Sequence, residues 1–276
     1  MDSSLKKRII TAVICIPLLI LILLSPKLIF SVVVVIASII GLYEYFKATG
    51  LLKYPVLCIM GYLAAIVIAF GANFPSILTV VLVYVYVVVL FVIMLVTKKG
   101  ITVKHIGLLM FGLVYIPYFL SHIIYIRNME FGKFLIWLVL IGAFMTDTSA
   151  YFSGKALGRH KLCPTISPNK TVEGAIGGIF GGGLSFMLFG VIVNAFFGQY
   201  LGGKHFDLIL LFALGIVAAV ASEIGDLAAS AIKRQFGIKD FGNILPGHGG
   251  ILDRCDSIIL VAPTVFLFVY NINILV

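Results

Sequence analysis

The sequence predicts an all-α protein: a polytopic membrane helical bundle of about nine transmembrane helices, with its N-terminus in the cytoplasm. Three observations carry that prediction. Of 276 residues, 62% are hydrophobic and 11% charged, with a mean hydropathy of +1.18, whereas soluble domains carry roughly 25% charged residues. The apolar residues gather into runs near the roughly 20 that a helix needs to cross about 30 Å of hydrocarbon. Runs such as VVVVIASII and VLVYVYVVVLFVIMLV lack the alternation of a barrel strand, and only helices and closed barrels satisfy their backbone in lipid.

The first run, about 9–24, follows Lys6, Lys7 and Arg8 in the manner of a signal peptide. No small-x-small cleavage site follows it and another apolar run begins at once, so a retained span is expected. Further spans are expected at about 28–46, 55–72, 76–96, 106–126, 133–151, 174–198, 206–230 and 257–275. Cytoplasmic loops are enriched in Lys and Arg, which tests the count. With the N-terminus inside, the outside loops hold only Lys27, Arg127, Lys133 and Lys204, leaving sixteen of the 20 cations inside. The net charge of +9 is largely this topological signal, so no nucleic-acid partner is inferred. The cysteines Cys15, Cys58, Cys163 and Cys255 show no zinc or redox spacing.

Two inside loops are long and polar, 153–173 and 231–256. Residues 1–130 therefore read as a transmembrane scaffold and 131–276 as the catalytic region. In the first half the one intramembrane acid, Glu44, lies near a span end. In the second, Asp147 lies near the cytoplasmic end of the sixth span, and Glu223 and Asp226 toward that of the eighth. The last two are three residues apart and share a helix face, where an acid costs about 2.5–3.5 kcal/mol at mid-span on insertion scales. Pairing with Lys or Arg as glue between helices is the plain alternative to a polar, cytoplasm-facing cavity. Asp253 and Asp256 repeat the spacing at the start of the last span, where an acid also suits a helix N-terminus.

Carboxylates around a hydrated pocket suit Mg²⁺, which takes one or two carboxylates plus waters and substrate phosphates. The neighbouring Lys233, Arg234, Lys239 and Arg254 attract polyphosphate. Both signs together point to a phosphate-plus-metal ligand. Gly247, Gly249 and Gly250 let backbone N–H groups approach oxyanions, and His248 is a candidate donor. GAIGGIFGGG, with Gly174, Gly178 and Gly182 four apart, reads as close helix packing.

The segment from Ser230 to Asp256, SAIKRQFGIKDFGNILPGHGGILDRCD, resembles the signature of the phosphatidate cytidylyltransferases, or CDP-diacylglycerol synthases. The matching residues are Ser230, Lys233, Arg234, Lys239, Asp240, His248, Gly249, Gly250, Asp253, Arg254 and Asp256. A second block, Asp147 through Gly174 (DTSAYFSG to SPNKTVEG), is similar to the same family. Cys255 and Asn169 depart from the residues common there, which leaves Lys170 as the phosphate contact.

The resemblance implies a membrane enzyme that joins CTP to phosphatidate with Mg²⁺, with room for a second cation. Bringing two such anions together calls for Mg²⁺ held by Asp226 and Asp253, with Asp256 or Asp147 as further ligands, and for Lys170, Lys233, Arg234, Lys239 and Arg254 on phosphates. Asp240 and Glu173 would orient those cations, and Ser230 would touch phosphate or cap a helix. The expected setting is the cytoplasmic membrane, among lipids, as a monomer or homodimer. A CTP-dependent polyprenol or phytol kinase and an ion-coupled transporter are the rival readings; the transporter fits less well because the first half has no counterpart to the charged second half.

Overall fold

The computed structural model describes residue 13 and residues 17–71, 76–97, 100–244 and 249–276. Residues 9–12 and 14–16 of the expected first span lie outside the described residues, and 17–24 are helical. The other eight expected spans all fall on helices. These are α1 (Lys27–Thr49), α2 (Pro55–Ala69), α3 (Ser76–Val96), α4 (Val103–Leu113), α5 (Phe119–Asn128), α6 (Gly132–Leu157), α7 (Val172–Phe197), α8 (Leu208–Gln235) and α9 (Leu252–Asn271). A π-helical turn, Val114–Tyr118, carries Pro117 and joins α4 to α5 into one long helix. Among the described residues six helices are long and apolar enough to cross a bilayer: Lys27–Thr49, Ile77–Val96, Val103–Asn128, Gly132–Leu157, Val172–Leu201 and Leu208–Gln235.

Local chemistry sets the helix ends. Pro55 opens α2 at its first position, where a missing N–H is harmless. Gly50, at φ 77°, closes α1 in the left-handed conformation. Asp207 accepts hydrogen bonds from the N–H groups of Ile209 and Leu210 and so starts α8. Most large side chains of α3 stay exposed, Tyr84 at 70% and Leu95 at 78%, while Leu90 is buried, as suits an apolar helix with one face on its neighbours and the rest against lipid.

Helices α6, α7 and α8 form the tightest body, with α9 laid on α8 and α5 and α1 closing the far side. The glycine stripe of α7 explains the closeness. A β-carbon at Gly178 would come within 2.9 Å of Ala150 Cβ, and one at Gly182 within 2.8 Å of Ala219 Cβ. The stripe therefore serves helix packing, as expected.

Two expectations need correcting. The all-α prediction misses one antiparallel hairpin, β1 (Lys161–Cys163) with β2 (Ser167–Thr171). The polar loops are also shorter than expected, because α6 runs to Leu157, α8 to Gln235, and α9 begins at Leu252. Hydropathy marks where the apolar run stops; helical hydrogen bonding continues past that point into the polar interface. Ser230, Lys233 and Arg234 thus stand on α8, and Asp253, Arg254 and Asp256 on α9.

Candidate active site

Glu223 and Asp226 point from α8 toward the hairpin. Thr171, at the end of β2, accepts a hydrogen bond from Gly174 N–H and caps α7, which places the strand directly before that helix. The residue just before this cap is Lys170. Its Nζ lies 2.5 Å from Glu223 Oε2 and 2.9 Å from Asp226 Oδ2. The pairing with a cation is therefore real, but the cation comes from the hairpin, not from a neighbouring membrane helix. Burial alone would lower the Lys170 pKa; Asp226 and then Glu223 more than offset it, so the ammonium is held above its ordinary value.

Lys170, Glu223 and Asp226 line a cavity of about 480 Å³, together with Asp147, Tyr151, Lys155 and Asn169. Glu223 Oε1 is buried without a hydrogen-bond partner in the protein, as is the nearby Thr146 Oγ1. Asp147 comes from α6, where Ser257 Oγ of α9 donates to its Oδ2 at 3.5 Å. The adjacent Asp256 accepts from Ser257 N–H at 2.9 Å. A β-carbon at Gly225 would collide with the Asp256 carbonyl, so glycine there lets the start of α9 meet the α8 backbone. Asp147, Asp226 and Asp256, from three helices, consequently lie within electrostatic reach of one another.

A second ion pair lies seven residues farther along α8, about 10 Å away by helical rise. Lys233 Nζ is 2.9 Å from Asp253 Oδ1 and 5.5 Å from the Phe241 ring centroid. The other oxygen, Asp253 Oδ2, accepts from Phe241 N–H at 2.8 Å and Gly250 N–H at 3.0 Å. Asp226 and Asp253 are thus each paired with a different lysine, Lys170 and Lys233. Gly249 adopts φ 87° beside the Asp253 carboxylate, and in this structure Gly250 N–H binds that internal anion.

The remaining expected residues are more dispersed. Ser230 is half-buried, one turn from Asp226 and on the same helix face. Arg234 donates through Nη1 to the Ile238 carbonyl and through Nε to the Ile166 carbonyl at 3.5 Å, tying α8 to the hairpin turn. Glu173 accepts from the N–H groups of Arg159 and His160 and lies 2.6 Å from His160 Nδ1. Lys239, Asp240 and Arg254 are exposed. His248 falls outside the described residues.

Sequence reasoning left Glu44 in the scaffold, yet it is 1% exposed and accepts from Ile251 and Leu252 N–H at the start of α9. A signal was present: an ionisable group in an apolar helix is expensive and asks for a partner. The partner, more than two hundred residues away, is not readable from one chain. Tyr151 and Lys155 were also missed, since each alone looks like an ordinary interface residue.

Among the described residues no three His, Cys, Asp or Glu side chains stand together closely enough to hold a metal alone. Mg²⁺ does not require that, because substrate phosphates and waters complete its octahedron. Asp147, Asp226 and Asp256, from three helices and within electrostatic reach of one another, with a buried unpartnered oxygen of Glu223 nearby, are carboxylates of the kind such an ion takes.

Fold and site together define a multi-pass membrane protein with a lysine–carboxylate cavity suited to phosphate-bearing substrates. The chain belongs to the cytidylyltransferase family, whose model matches residues 6–272. It is 32% identical over 271 residues to a phosphatidate cytidylyltransferase of Bacillus subtilis, covering 95% of this chain and 97% of that protein. A phosphatidate cytidylyltransferase of Rickettsia bellii is 41% identical over 158 residues, covering 57% of this chain and 67% of its own. One from Staphylococcus epidermidis is 44% identical over 138 residues, 50% of this chain and 47% of its own.

Proposed function

We propose that this protein transfers the cytidylyl group of CTP to phosphatidate, giving CDP-diacylglycerol and pyrophosphate for phospholipid biosynthesis. The observation that carries the reading is the Lys170 clamp on Glu223 and Asp226 beside a 480 Å³ cavity, in a chain matched along nearly its whole length by the cytidylyltransferase family.

A phosphatidate phosphate oxygen attacks the α-phosphorus of CTP, a new P–O bond forms, and the bond to the β-phosphate oxygen breaks as pyrophosphate leaves. The nucleophile is already an anion, so the protein's task is positioning and charge compensation rather than proton removal. Lys170 neutralises Glu223 and Asp226 and can turn to phosphate oxygens, whereas Lys233 neutralises Asp253. The exposed Arg234, Lys239 and Arg254 are the further candidates for phosphate, and Ser230 adds a hydroxyl one turn from Asp226. Mg²⁺, when bound, offsets the repulsion between the two anions, and the residues that would hold it are Asp226, Asp147, Asp256 and Asp253. The number of acids leaves room for a second cation. Asp253 binds metal only if Lys233 yields one oxygen.

The partition of Lys and Arg supports nine spans with the N-terminus and the cavity facing the cytoplasm, in the cytoplasmic membrane. There the acyl chains stay in hydrocarbon while the headgroup meets a water-soluble nucleotide. Residues 1–130 support the catalytic region, 131–276.

The test incubates purified protein with labelled CTP, phosphatidate and Mg²⁺. Label should enter the organic phase with release of pyrophosphate, and EDTA should stop it until Mg²⁺ is restored. A phosphorylated lipid with free CDP would instead indicate a kinase.

A further inference from the structure

Among the described residues, Glu44 is the one buried acid that the proposed reaction does not use. It stands on α1, in the N-terminal half of the chain, at 1% exposure. Its Oε1 accepts from Ile251 N–H at 3.1 Å and its Oε2 from Leu252 N–H at 2.8 Å. Those are orphan donors of the first turn of α9, which has no side-chain cap of its own. The same carboxylate fills the space beside two glycines of the functional loop: a β-carbon on Gly242 or Gly250 would overlap it. Gly250 N–H in turn donates to Asp253 Oδ2, as does Phe241 N–H from the other end of the loop. Lys233 closes the chain on Asp253 Oδ1.

We infer that Glu44 is a positioning residue: from the N-terminal half it bonds the start of α9 and packs against Gly242 at the other end of the preceding loop, and thereby holds Asp253 and Asp256 in register with α8. A distant acid suits the task. The loop's own N–H groups are divided between two carboxylates, and one residue cannot supply both. Asp253 takes those of Phe241 and Gly250, and Glu44 takes those of Ile251 and Leu252, so α9 is docked on α1 and α8 at once. The glycines at 242 and 250 follow from the same contact. This inference rests on the cytidylyl-transfer reading for its kinetic consequence but not for its physical content.

The experiment compares wild type, Glu44→Gln and Glu44→Asp in detergent, by thermal unfolding, by hydrogen exchange at residues 241–244 and 249–253, and by steady-state turnover of CTP and phosphatidate. Glu44→Gln keeps the shape but replaces one acceptor with a donor facing an N–H. It should fold, exchange faster at Phe241, Ile251 and Leu252 and not in α6 or α7, and lose kcat by tenfold or more with the KM for phosphatidate within twofold of wild type. Glu44→Asp should recover part of that kcat. Three outcomes overturn the inference: unchanged exchange at the loop, an unchanged kcat, or failure of both variants to fold, which would make Glu44 purely structural. A wild type that exchanges slowly at the loop but transfers no label would instead sink the functional reading and leave the pinning decided by the exchange data.

Discussion

Two lysine–carboxylate pairs of identical chemistry sit two turns apart on α8, and their surroundings give them different work. In the pair made by Lys170 with Glu223 and Asp226, the side chains of Lys170 and Asp226 are 20% and 27% exposed, both line the cavity, and the lysine is delivered by a two-stranded hairpin. In the pair made by Lys233 with Asp253, exposure falls to 11% and 3%, and backbone N–H groups occupy the second carboxylate oxygen. A carboxylate saturated by backbone donors is committed to architecture. One held by a single flexible ammonium can exchange that partner for a ligand. The charge pattern alone does not tell these apart; the supply of neighbouring donors does.

Breaking the cavity pair should have the largest effect. Asp226→Asn removes the negative charge but keeps the shape, so kcat should fall by about 10³-fold, the upper range for loss of one preorganised electrostatic contact. The thermal midpoint should stay near wild type, because the residue is partly solvated. Near-normal turnover would remove Asp226 from the chemistry.

Lys233→Met attacks the sealed pair and should act first on stability. It leaves Asp253 buried without its cation, a loss of about 3–5 kcal/mol for broken buried pairs. Chemical denaturation in mixed micelles would measure it. A variant as stable as wild type but inactive would place Lys233 on substrate rather than in the frame, and would erase the contrast drawn above.

Glu173→Gln should have the smallest effect. Its partners are the exposed N–H groups and ring of the 159–160 turn. Amide exchange there should rise, while turnover changes by less than about fivefold, the scale of an exposed ion pair. A larger loss would bring Glu173 into the catalytic set.

Much of this architecture was legible before any coordinates. Each expected span from 28 onward coincides with a helix, because insertion in lipid demands long apolar runs whose backbone is internally satisfied. The glycine stripe of α7 was readable as packing, since small residues four apart face one way. The hairpin was not readable: Lys161–Thr171 has the composition of a loop, and its pairing depends on α6 and α7 being held close enough to be joined by a short ribbon. Asp226 and Asp147 were recognised from their acidity in apolar helices, and the structure brings both to the cavity. Asp226 and Asp253 were both recognised as candidate ligands of one cation, but that each meets its own lysine, Lys170 and Lys233, was not readable from the charge pattern.

By itself the sequence determined that this chain lives in a bilayer, where its helices fall, and that acids and cations gather toward one end of its second half. These properties follow from transfer free energies and helical period, which belong to each segment alone. Only the tertiary structure decided which lysine meets which carboxylate, that Glu44 reaches across the chain to the start of α9, and that a hairpin carries Lys170 to the cavity. Such pairings depend on distances of a few ångströms between segments far apart in the chain, and those distances are set when the helices pack.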